Sequence, residues 1–276
     1  MNQQAKANLL FELHKSGKML VLPNIWDSLG AMLLESIGYP VIATAGAAIA
    51  FTHGYENGKQ VPFADVLNIL TRIVACVDKP LTADIETGYS NTNSGLYENI
   101  KLLIKSGIVG INFEDSAMEH GGLNSIEVQC EKIRLIREAS KEAGIRLFIN
   151  ARTDVYIKQK ELQEADKLNE AIKRGKAYRD SGADCIFPVG VNHELHIKEI
   201  ASQLAMPVNI LAAPGIPDLK TLQALGVSRV SLGPEFLKVA IKAMKAVAED
   251  MFNHQDIHRF VENDLTPDYL KGLING

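Results

Sequence analysis

The feature that most constrains the fold of this chain is a regular alternation of short apolar segments with amphipathic ones. Eight strand-like segments are each followed by a helical pattern, and alternation of this kind builds parallel sheets covered by helices. No second composition regime interrupts the 276 residues, so we predict one (β/α)8 TIM-type barrel domain over residues 1–276. The predicted strands are Met19–Pro23, Val41–Thr44, Leu81–Glu86, Val109–Glu114, Arg146–Arg152, Asp184–Pro188, Pro207–Leu211 and Arg229–Leu232.

A doubly wound open sheet is the alternative α/β fold. No Gly-x-Gly-x-x-Gly motif follows the first strand, so dinucleotide binding has no support in the sequence. Residues 254–276 are more than a barrel needs, and we predict that they form a C-terminal helical extension. Because this extension carries several apolar residues, we expect it to pack against another surface, and we expect that surface to belong to another subunit.

Charge and composition exclude several classes of function. The formal net charge is −4, and no basic patch with interleaved aromatic residues is present, so we expect no nucleic-acid partner. No apolar run approaches the ~20 residues that span a bilayer, and the N-terminus lacks a secretory pattern. Three widely spaced cysteines fit reduced thiols. We therefore expect a cytoplasmic protein without a membrane partner.

Polar residues gather at the ends of the predicted strands, where active sites of barrels lie. Asp84 and Glu86 are two residues apart and would leave an extended strand from the same face. Glu114 and Asp115 close the next strand, and Arg152 follows a third. So many carboxylates are not expected to converge without compensation, and all-oxygen ligation favours Mg²⁺, with Mn²⁺ as the alternative. Arg152 offers a planar fork for a substrate carboxylate or phosphate.

Two plainer interpretations stand beside this one. The carboxylates could pair with Arg and Lys around a solvated rim, because charged loops are common at strand ends. The segment Ser116–Asn124 lacks an apolar period and contains Gly-Gly, which is typical of a mobile loop over the barrel mouth. Its His120 or Glu119 is a candidate for catalysis, and an ordinary surface loop is the alternative.

Six stretches of the chain resemble the isocitrate lyase/phosphoenolpyruvate mutase superfamily, in the order found in that family. They span roughly residues 20 to 235, and as a set they are highly specific. The stretches are Leu22–Asp27, Gly54–Gly58, Ala83–Tyr89, Gly110–Asp115, Asn150–Asp154 and Pro207–Asn209. The resemblance implies a (β/α)8 barrel whose last helix is exchanged between paired subunits, as a homotetramer built from two dimers. It also implies Mg²⁺ and chemistry on α-keto acids through an enolate-like intermediate.

The resemblance further implies roles for individual residues. Asp84 matches a metal-binding aspartate, and Glu86 and Glu114 match acids that hold metal-bound water. Arg152 matches a substrate-binding arginine. The positions matching the family's substrate contacts are Thr44, Gly46, Ala47 and Asn209.

The chain departs from the family at several of these positions. Asn57 stands where an aspartate usually holds a metal-bound water, Glu86 stands where aspartate is usual, and Gly46 replaces a common serine. The loop Ser116–Asn124 has neither the Lys-Lys-Cys-Gly-His sequence of the lyases nor the Lys-Thr-Asn-Ser type of the phosphonomutases. These departures are typical of a divergent member that keeps the metal and keto-acid machinery.

Three functions follow as hypotheses. The first is an Mg²⁺-dependent carbon–carbon lyase or decarboxylase acting on a small α-keto or 2-hydroxy acid, with Arg152, Glu114 and His120 as the catalytic candidates. The second is P–C bond chemistry, as in a phosphonomutase or phosphonopyruvate hydrolase. The third is a keto-acid-binding protein with little turnover.

Overall fold

The computed structural model describes residues 1–117, 121–253, 257–262 and 265–275. Every ladder between its strands is parallel within that part of the chain. The strands are β1 (Leu20–Leu22), β2 (Asn24–Ile25), β3 (Ile42–Thr44), β4 (Leu81–Asp84), β5 (Gly110–Glu114), β6 (Phe148–Thr153), β7 (Cys185–Pro188), β8 (Asn209–Leu211) and β9 (Arg229–Ser231).

Helices follow the strands along the chain. The first seven are α1 (Gln3–Lys15), α2 (Ser28–Ile37), α3 (Gly46–Thr52), α4 (Phe63–Cys76), α5 (Asn93–Lys105), α6 (Ile126–Glu142) and α7 (Val155–Lys158). The others are α8 (Glu164–Asp180), α9 (Glu194–Leu204), α10 (Leu219–Ala224), α11 (Glu235–Phe252), α12 (His258–Val261) and α13 (Pro267–Asn275), and a 3-10 turn covers Gly58–Gln60.

The strand order gives a TIM-like α/β fold. One sheet runs β2-β3-β4-β5-β6-β7 and a second runs β1-β9-β8. Strands β1 and β2 are separated by Pro23 alone, which has no N–H group and so interrupts a ladder. A single parallel bridge between Ile186 and Val208 connects β7 with the start of β8. The predicted alternation is therefore confirmed, with the first predicted strand divided in two.

Local sequence sets the helix boundaries. The Asp27 carboxylate accepts a 2.7 Å hydrogen bond from the N–H of Gly30 and caps α2. Gly38 ends that helix at φ 102°, a left-handed conformation that glycine adopts without strain.

Two apolar layers hold the sheets. The helices pack their buried residues on the outer face, while a smaller cluster lies inside, at the end of the sheets where the strands begin. There α1 contributes Ala7, Leu10 and Phe11, which pack with Phe148 and Cys185. Because α1 covers this end, the opposite end, where the strands finish, is left for a binding site.

Two expectations differ from the structure near that end. Strand β4 stops at Asp84, and Glu86 lies beyond it at φ 52°, so the two side chains do not share a strand face. The small-residue run after β3 forms α3, which the sequence did not predict because it lacks a contrast between apolar and polar faces.

The C-terminal helices bury little in the isolated chain. Leu237 is the buried residue of α11 among the side chains that the structure describes. The exposed apolar residues of this helix are Val239, Ile241, Met244, Met251 and Phe252. Of the predicted extension 254–276, residues 254–256, 263–264 and 276 lie outside the described part, and the remainder includes α12 and α13. No helix within the described ranges has the length and hydropathy of a membrane span.

Candidate active site

A cavity of about 260 Å³ opens where the strands end. Its walls carry the two predicted metal-binding carboxylates, Asp84 and Glu86, together with Asn57 and Arg152. The remaining lining residues are Asn24, Ala45, Ala47, Glu56, Gly58, Asn112, Phe187, Val189, Leu211, Ser231, Gly233 and Pro234. Acidic residues therefore outnumber basic ones on the described walls, where Arg152 is the one cation.

Asp84 is fixed by the backbone around it. Its Oδ2 accepts a hydrogen bond from the N–H of Gly46 at 3.1 Å, and its Oδ1 accepts one from the N–H of Glu86 at 3.3 Å. Burial raises the pKa of Asp84 and the Glu114 carboxylate raises it further, while the Arg152 charge and the two N–H donors oppose the shift. The carboxylate is thus held in one orientation, at a place where a bound cation would offset the cost of burying its charge.

Glu86 occupies a notch between two glycines. A Cβ atom built on Gly46 would lie 2.2 Å from Oε1 of Glu86, and one built on Gly58 would lie 1.9 Å from the same oxygen. The Glu86 side chain is buried, and its backbone adopts a left-handed conformation that is unfavourable for a residue with a Cβ. The absence of side chains at Gly46 and Gly58 therefore leaves the space that the longer Glu86 side chain occupies.

Arg152 joins two acids beside the cavity. Its Nη1 contacts Glu114 Oε2 at 2.9 Å, while Nε and Nη2 donate to the two oxygens of Asp154 at 2.7 and 3.0 Å. Ser116 also donates to Asp154, at 2.7 Å. Burial alone would lower the pKa of Arg152, but the charges of Glu114 and Asp154 raise it above its ordinary value. These bonds use three of the five N–H groups of a guanidinium and leave two for other acceptors.

Asp115 belongs to a buried hydrogen-bond network that adjoins Asp154, whose N–H donates to Asp115 Oδ1 at 2.9 Å. Its carboxylate accepts hydrogen bonds from Thr153 Oγ1 and Tyr178 Oη at 2.7 Å each, and from Arg174 Nη1 at 3.1 Å. Burial raises the pKa of Asp115, and these donors oppose the shift. Asp115 therefore pairs with an arginine, as the plainer interpretation of strand-end acids has it, but it does so inside the protein and not on a solvated rim.

The structure separates the predicted substrate contacts into two groups. Ala47 lies on the cavity wall, whereas the N–H of Gly46 is engaged by Asp84. Thr44 is fully buried and its Oγ1 accepts the N–H of Asp84, so it supports the acid. Asn209 is also fully buried, and its Nδ2 donates to Ser231 Oγ at 3.0 Å. Both residues act behind the wall in this arrangement.

The predicted loop is described at its two ends. Ser116 and Leu123 form an antiparallel bridge, and the N–H of Ala117 donates to Gly122 O at 2.8 Å. The loop's ends are thus pinned to each other next to Asp154. Met118, Glu119 and His120 lie outside the described residues, so the catalytic role suggested for His120 stays a prediction.

Sequence reasoning gave no role to several residues of the wall, among them the polar residues Asn112, Ser231 and Glu56. Ser231 stands at the end of a predicted strand, and the rule that selected Asp84 would have found it. Asn112 accepts a 2.8 Å hydrogen bond from Asn150, which stands opposite it on β6. Glu56 neighbours Asn57 and brings a carboxylate to a segment where the family's usual aspartate is absent.

The donor set fits Mg²⁺ held partly through water. Asp84 is a buried carboxylate, and Glu86, Asn57 and Asn112 bring further oxygen atoms to the same walls. Glu114 lies behind them, against Arg152. Within the described ranges, no three His, Cys, Asp or Glu side chains are placed to hold a metal by themselves. Mg²⁺ usually binds through one or two carboxylates and keeps several waters, so this arrangement is compatible with it.

Comparison with known proteins finds one matching family and relatives along most of the chain. The sequence model of the family described as phosphoenolpyruvate phosphomutase matches residues 10–252. An uncharacterized protein of Mycobacterium tuberculosis is 30% identical over 251 residues, 91% of each chain. A 2-methylisocitrate lyase of Bacillus subtilis is 25% identical, covering 75% of this chain and 67% of its own. An oxaloacetate decarboxylase of Pseudomonas entomophila is 27% identical, with coverage of 84% and 80%.

Solved structures agree in fold. A Burkholderia cenocepacia protein named provisionally as a phosphonomutase superposes with a TM-score of 0.86 at 32% identity, over 90% of this chain and 99% of its own. A second protein of that organism, named provisionally as a lyase/mutase, gives 0.90 at 25% identity and coverage of 99% and 97%. Phosphonopyruvate hydrolase, solved with oxalate and Mg²⁺, gives 0.83 at 22% identity, with coverage of 99% and 95%, which speaks for the fold alone.

The match to the family spans most of the chain and agrees with the resemblance found in the motifs. Relatives at this distance include lyases and decarboxylases as well as phosphonomutases. This chain belongs to the phosphoenolpyruvate phosphomutase family, within the isocitrate lyase/phosphoenolpyruvate mutase superfamily.

Proposed function

We propose that this protein is an Mg²⁺-dependent carbon–carbon lyase or decarboxylase acting on a small α-keto or 2-hydroxy acid. One observation carries the proposal: a cavity of about 260 Å³ brings the carboxylates of Asp84 and Glu86 together with a single arginine. Ligand pockets are commonly ~300–1,000 Å³, so the size favours a compact acid. An all-oxygen donor set beside a guanidinium suits a metal-chelated carboxylate.

Each residue has a definite part in this proposal. Asp84 would hold Mg²⁺, with Glu86, Glu114 and Asn57 as further donors. When bound, the ion supplies electrostatic stabilisation of the negative charge that develops on the keto-acid oxygen. Arg152 binds and orients a carboxylate of the substrate through the N–H groups that Glu114 and Asp154 leave over. Phe187, Val189 and Leu211 form an apolar wall that limits the access of water.

Carbon–carbon chemistry is favoured over phosphoryl transfer by the charge of the site. A migrating phosphoryl group needs cationic support beyond the metal. Arg152 is the one cation among the cavity-lining residues in the described part of the chain, and two acids share it. The lyase and decarboxylase relatives are consistent with this choice.

A substrate panel tests the proposal. The purified protein is incubated with Mg²⁺ and, separately, with oxaloacetate, isocitrate, 2-methylisocitrate and 2,3-dimethylmalate, and the release of pyruvate, glyoxylate or propionate is measured. We expect turnover of at least one of these acids, its loss in Asp84→Asn, and its retention in Asp166→Asn, a matched change at an exposed helix position. Release of none of these products from any acid in the panel would contradict the proposal.

P–C bond chemistry is the second candidate, because the family model and one solved relative at 32% identity carry phosphomutase or phosphonomutase names. Phosphorus NMR with phosphonopyruvate separates the two candidates. Formation of phosphoenolpyruvate or inorganic phosphate would favour it over the lyase. A third candidate, keto-acid binding with little turnover, rests on Asn57 replacing the usual aspartate, and it predicts thermal stabilisation by α-ketoglutarate or oxalate without products.

We also propose that the whole chain forms one domain, with the two sheets closing into a (β/α)8 barrel at Pro23 and at the bridge between Ile186 and Val208. The exposed apolar residues of α11 support exchange of this helix between subunits, in a dimer of dimers. The cytoplasm remains the proposed location.

A further inference from the structure

A buried arginine lies directly beneath the floor of the cavity. Strands β8 and β9 pair with Asn209 opposite Arg229 and Leu211 opposite Ser231. Alternate residues of a strand point to the same side, so Arg229 stands one layer below Ser231, which lines the cavity. Arg229 is 0% exposed and is the largest fully buried side chain of the described residues.

Arg229 and Asn209 together control the hydroxyl of Ser231. Arg229 Nε donates to Ser231 Oγ at 3.0 Å, and Asn209 Nδ2 donates to the same oxygen at 3.0 Å. A hydroxyl oxygen accepts two hydrogen bonds and donates one. With both acceptor positions filled, the hydrogen of Ser231 turns either to Asn209 Oδ1, 3.2 Å away, or into the cavity. An anion in the cavity would draw it inward.

The rest of the guanidinium is not balanced by hydrogen-bonded protein groups. Nη1 and Nη2 of Arg229 have no hydrogen-bond partner among the described residues. Burial lowers the pKa of Arg229 to about 10, which leaves the group charged at neutral pH. The charge of Asp84 opposes this shift. The Cys185 thiol is neutral at this pH, because burial raises its pKa to about 12. A buried charge without matched hydrogen bonds costs stability, and an apolar residue of similar volume is often neutral or stabilising in its place.

A residue that breaks a packing rule at the expense of stability is expected at a functional site. We propose that Arg229 is a positioning residue for an anionic substrate, which fixes the Ser231 hydroxyl as a hydrogen-bond donor to the cavity floor and places a second positive charge below it. This inference deepens the proposed function and rests on it. It explains how a cavity rich in carboxylates can still accept a dianionic acid.

Calorimetric titration tests this role with oxalate as the probe, in the presence of Mg²⁺. The variants are Arg229→Met, which removes the charge and the donor, Arg229→Lys, which keeps the charge and removes Nε, and Ser231→Ala. The double variant Ser231→Ala/Arg229→Met measures the coupling. Arg72→Met, at an exposed helix position, is the matched control.

We expect Arg229→Met to weaken oxalate binding roughly tenfold or more, as the loss of hydrogen bonding to a charged group would. Its melting temperature should equal or exceed that of the wild type, and its affinity for Mg²⁺ alone should be unchanged or higher, because a cation has been removed. Arg229→Lys should fall between Arg229→Met and the wild type. The double variant should lose no more oxalate affinity than whichever single variant binds oxalate more weakly.

An oxalate affinity of Arg229→Met within twofold of the wild type would overturn the inference, as would additive losses in the double variant. A parallel loss of melting temperature and Mg²⁺ affinity would also overturn it, because that pattern marks a purely structural role. If Arg229→Met does not fold, Arg229→Lys and Ser231→Ala decide by the same criteria. Wild-type protein that binds no oxalate would overturn this inference together with the proposed function, whereas binding without an effect of Arg229 would overturn this inference alone.

Discussion

Substitution of Gly58 by alanine isolates the notch that holds Glu86. The new Cβ would lie 1.9 Å from Glu86 Oε1, whereas ordinary contact begins at 3.4 Å, so the carboxylate has to move by 3.4 − 1.9 = 1.5 Å. The same change at Gly46 requires 3.4 − 2.2 = 1.2 Å. Neither glycine has a positive φ, so alanine brings no backbone strain of its own.

The size of the effect depends on whether Glu86 can yield. Overpacking a well-packed site costs ~1–3 kcal/mol, and a freely moving side chain would reduce that to near zero. Because Glu86 is buried on a left-handed backbone, we expect about 1 kcal/mol or more of lost stability and weaker Mg²⁺ binding in Gly58→Ala. Urea unfolding and calorimetric Mg²⁺ titration measure the two effects.

The control is Gly58→Ala in a variant that lacks the Glu86 carboxylate. In a Glu86→Ala background, Gly58→Ala should cost little, because the oxygen that it overlaps is gone. A double-mutant cycle therefore yields a coupling energy close to the whole cost of Gly58→Ala. A Gly58→Ala protein with wild-type stability and Mg²⁺ affinity would refute the argument, and so would an equal cost in both backgrounds.

Three further predictions concern stability and assembly. Burial, and then the Arg229 charge, lower the pKa of His14 from 6.5 to about 3. Below pH 6.5 the unfolded chain therefore binds more protons than the folded chain, and the free energy of unfolding decreases as the pH is lowered. Between pH 8 and pH 5 this decrease amounts to ~2 kcal/mol, and urea unfolding of the His14→Phe variant should not show it. If the free energy of unfolding of His14→Phe depended on pH as in the wild type, the assignment to His14 would be contradicted. Asp115→Asn should cost on the order of 1–3 kcal/mol in urea unfolding, because Tyr178 and Arg174 lose a buried charged acceptor while Arg174 keeps its ion pair with Glu170. An unchanged free energy of unfolding would be inconsistent with the network. Met244→Glu on α11 should lower the oligomeric mass in light scattering while Lys242→Glu does not, and a monomeric wild-type protein would rule out the exchanged helix.

The alternation of strands and helices was predictable because each element carries its own periodic pattern. The site was predictable in part, since strand ends of parallel sheets converge and Asp84, Glu86 and Arg152 all reach the cavity. The direction of Glu86 was not, because it depends on a left-handed backbone beyond β4 and on space left at Gly46 and Gly58.

Side-chain partners were the least predictable part. Arg152 was assigned to substrate from its type, but its bidentate contact with Asp154 needs the turn after β6. Thr44 and Asn209 were assigned to the substrate by resemblance, whereas their hydrogen bonds point to Asp84 and Ser231. Residue type and order fix which groups arrive at the site, while the hydrogen bonds formed after folding decide which of them face the ligand.

The central claim is that Asp84 organises a metal-dependent site for a small acid. Calorimetric titration of oxalate into the protein, with and without Mg²⁺, tests it most directly for the wild type, Asp84→Asn and Asp166→Asn. We predict Mg²⁺-dependent binding in the wild type and in Asp166→Asn, and none in Asp84→Asn. Oxalate binding that is independent of Mg²⁺, or that survives in Asp84→Asn, would contradict the claim.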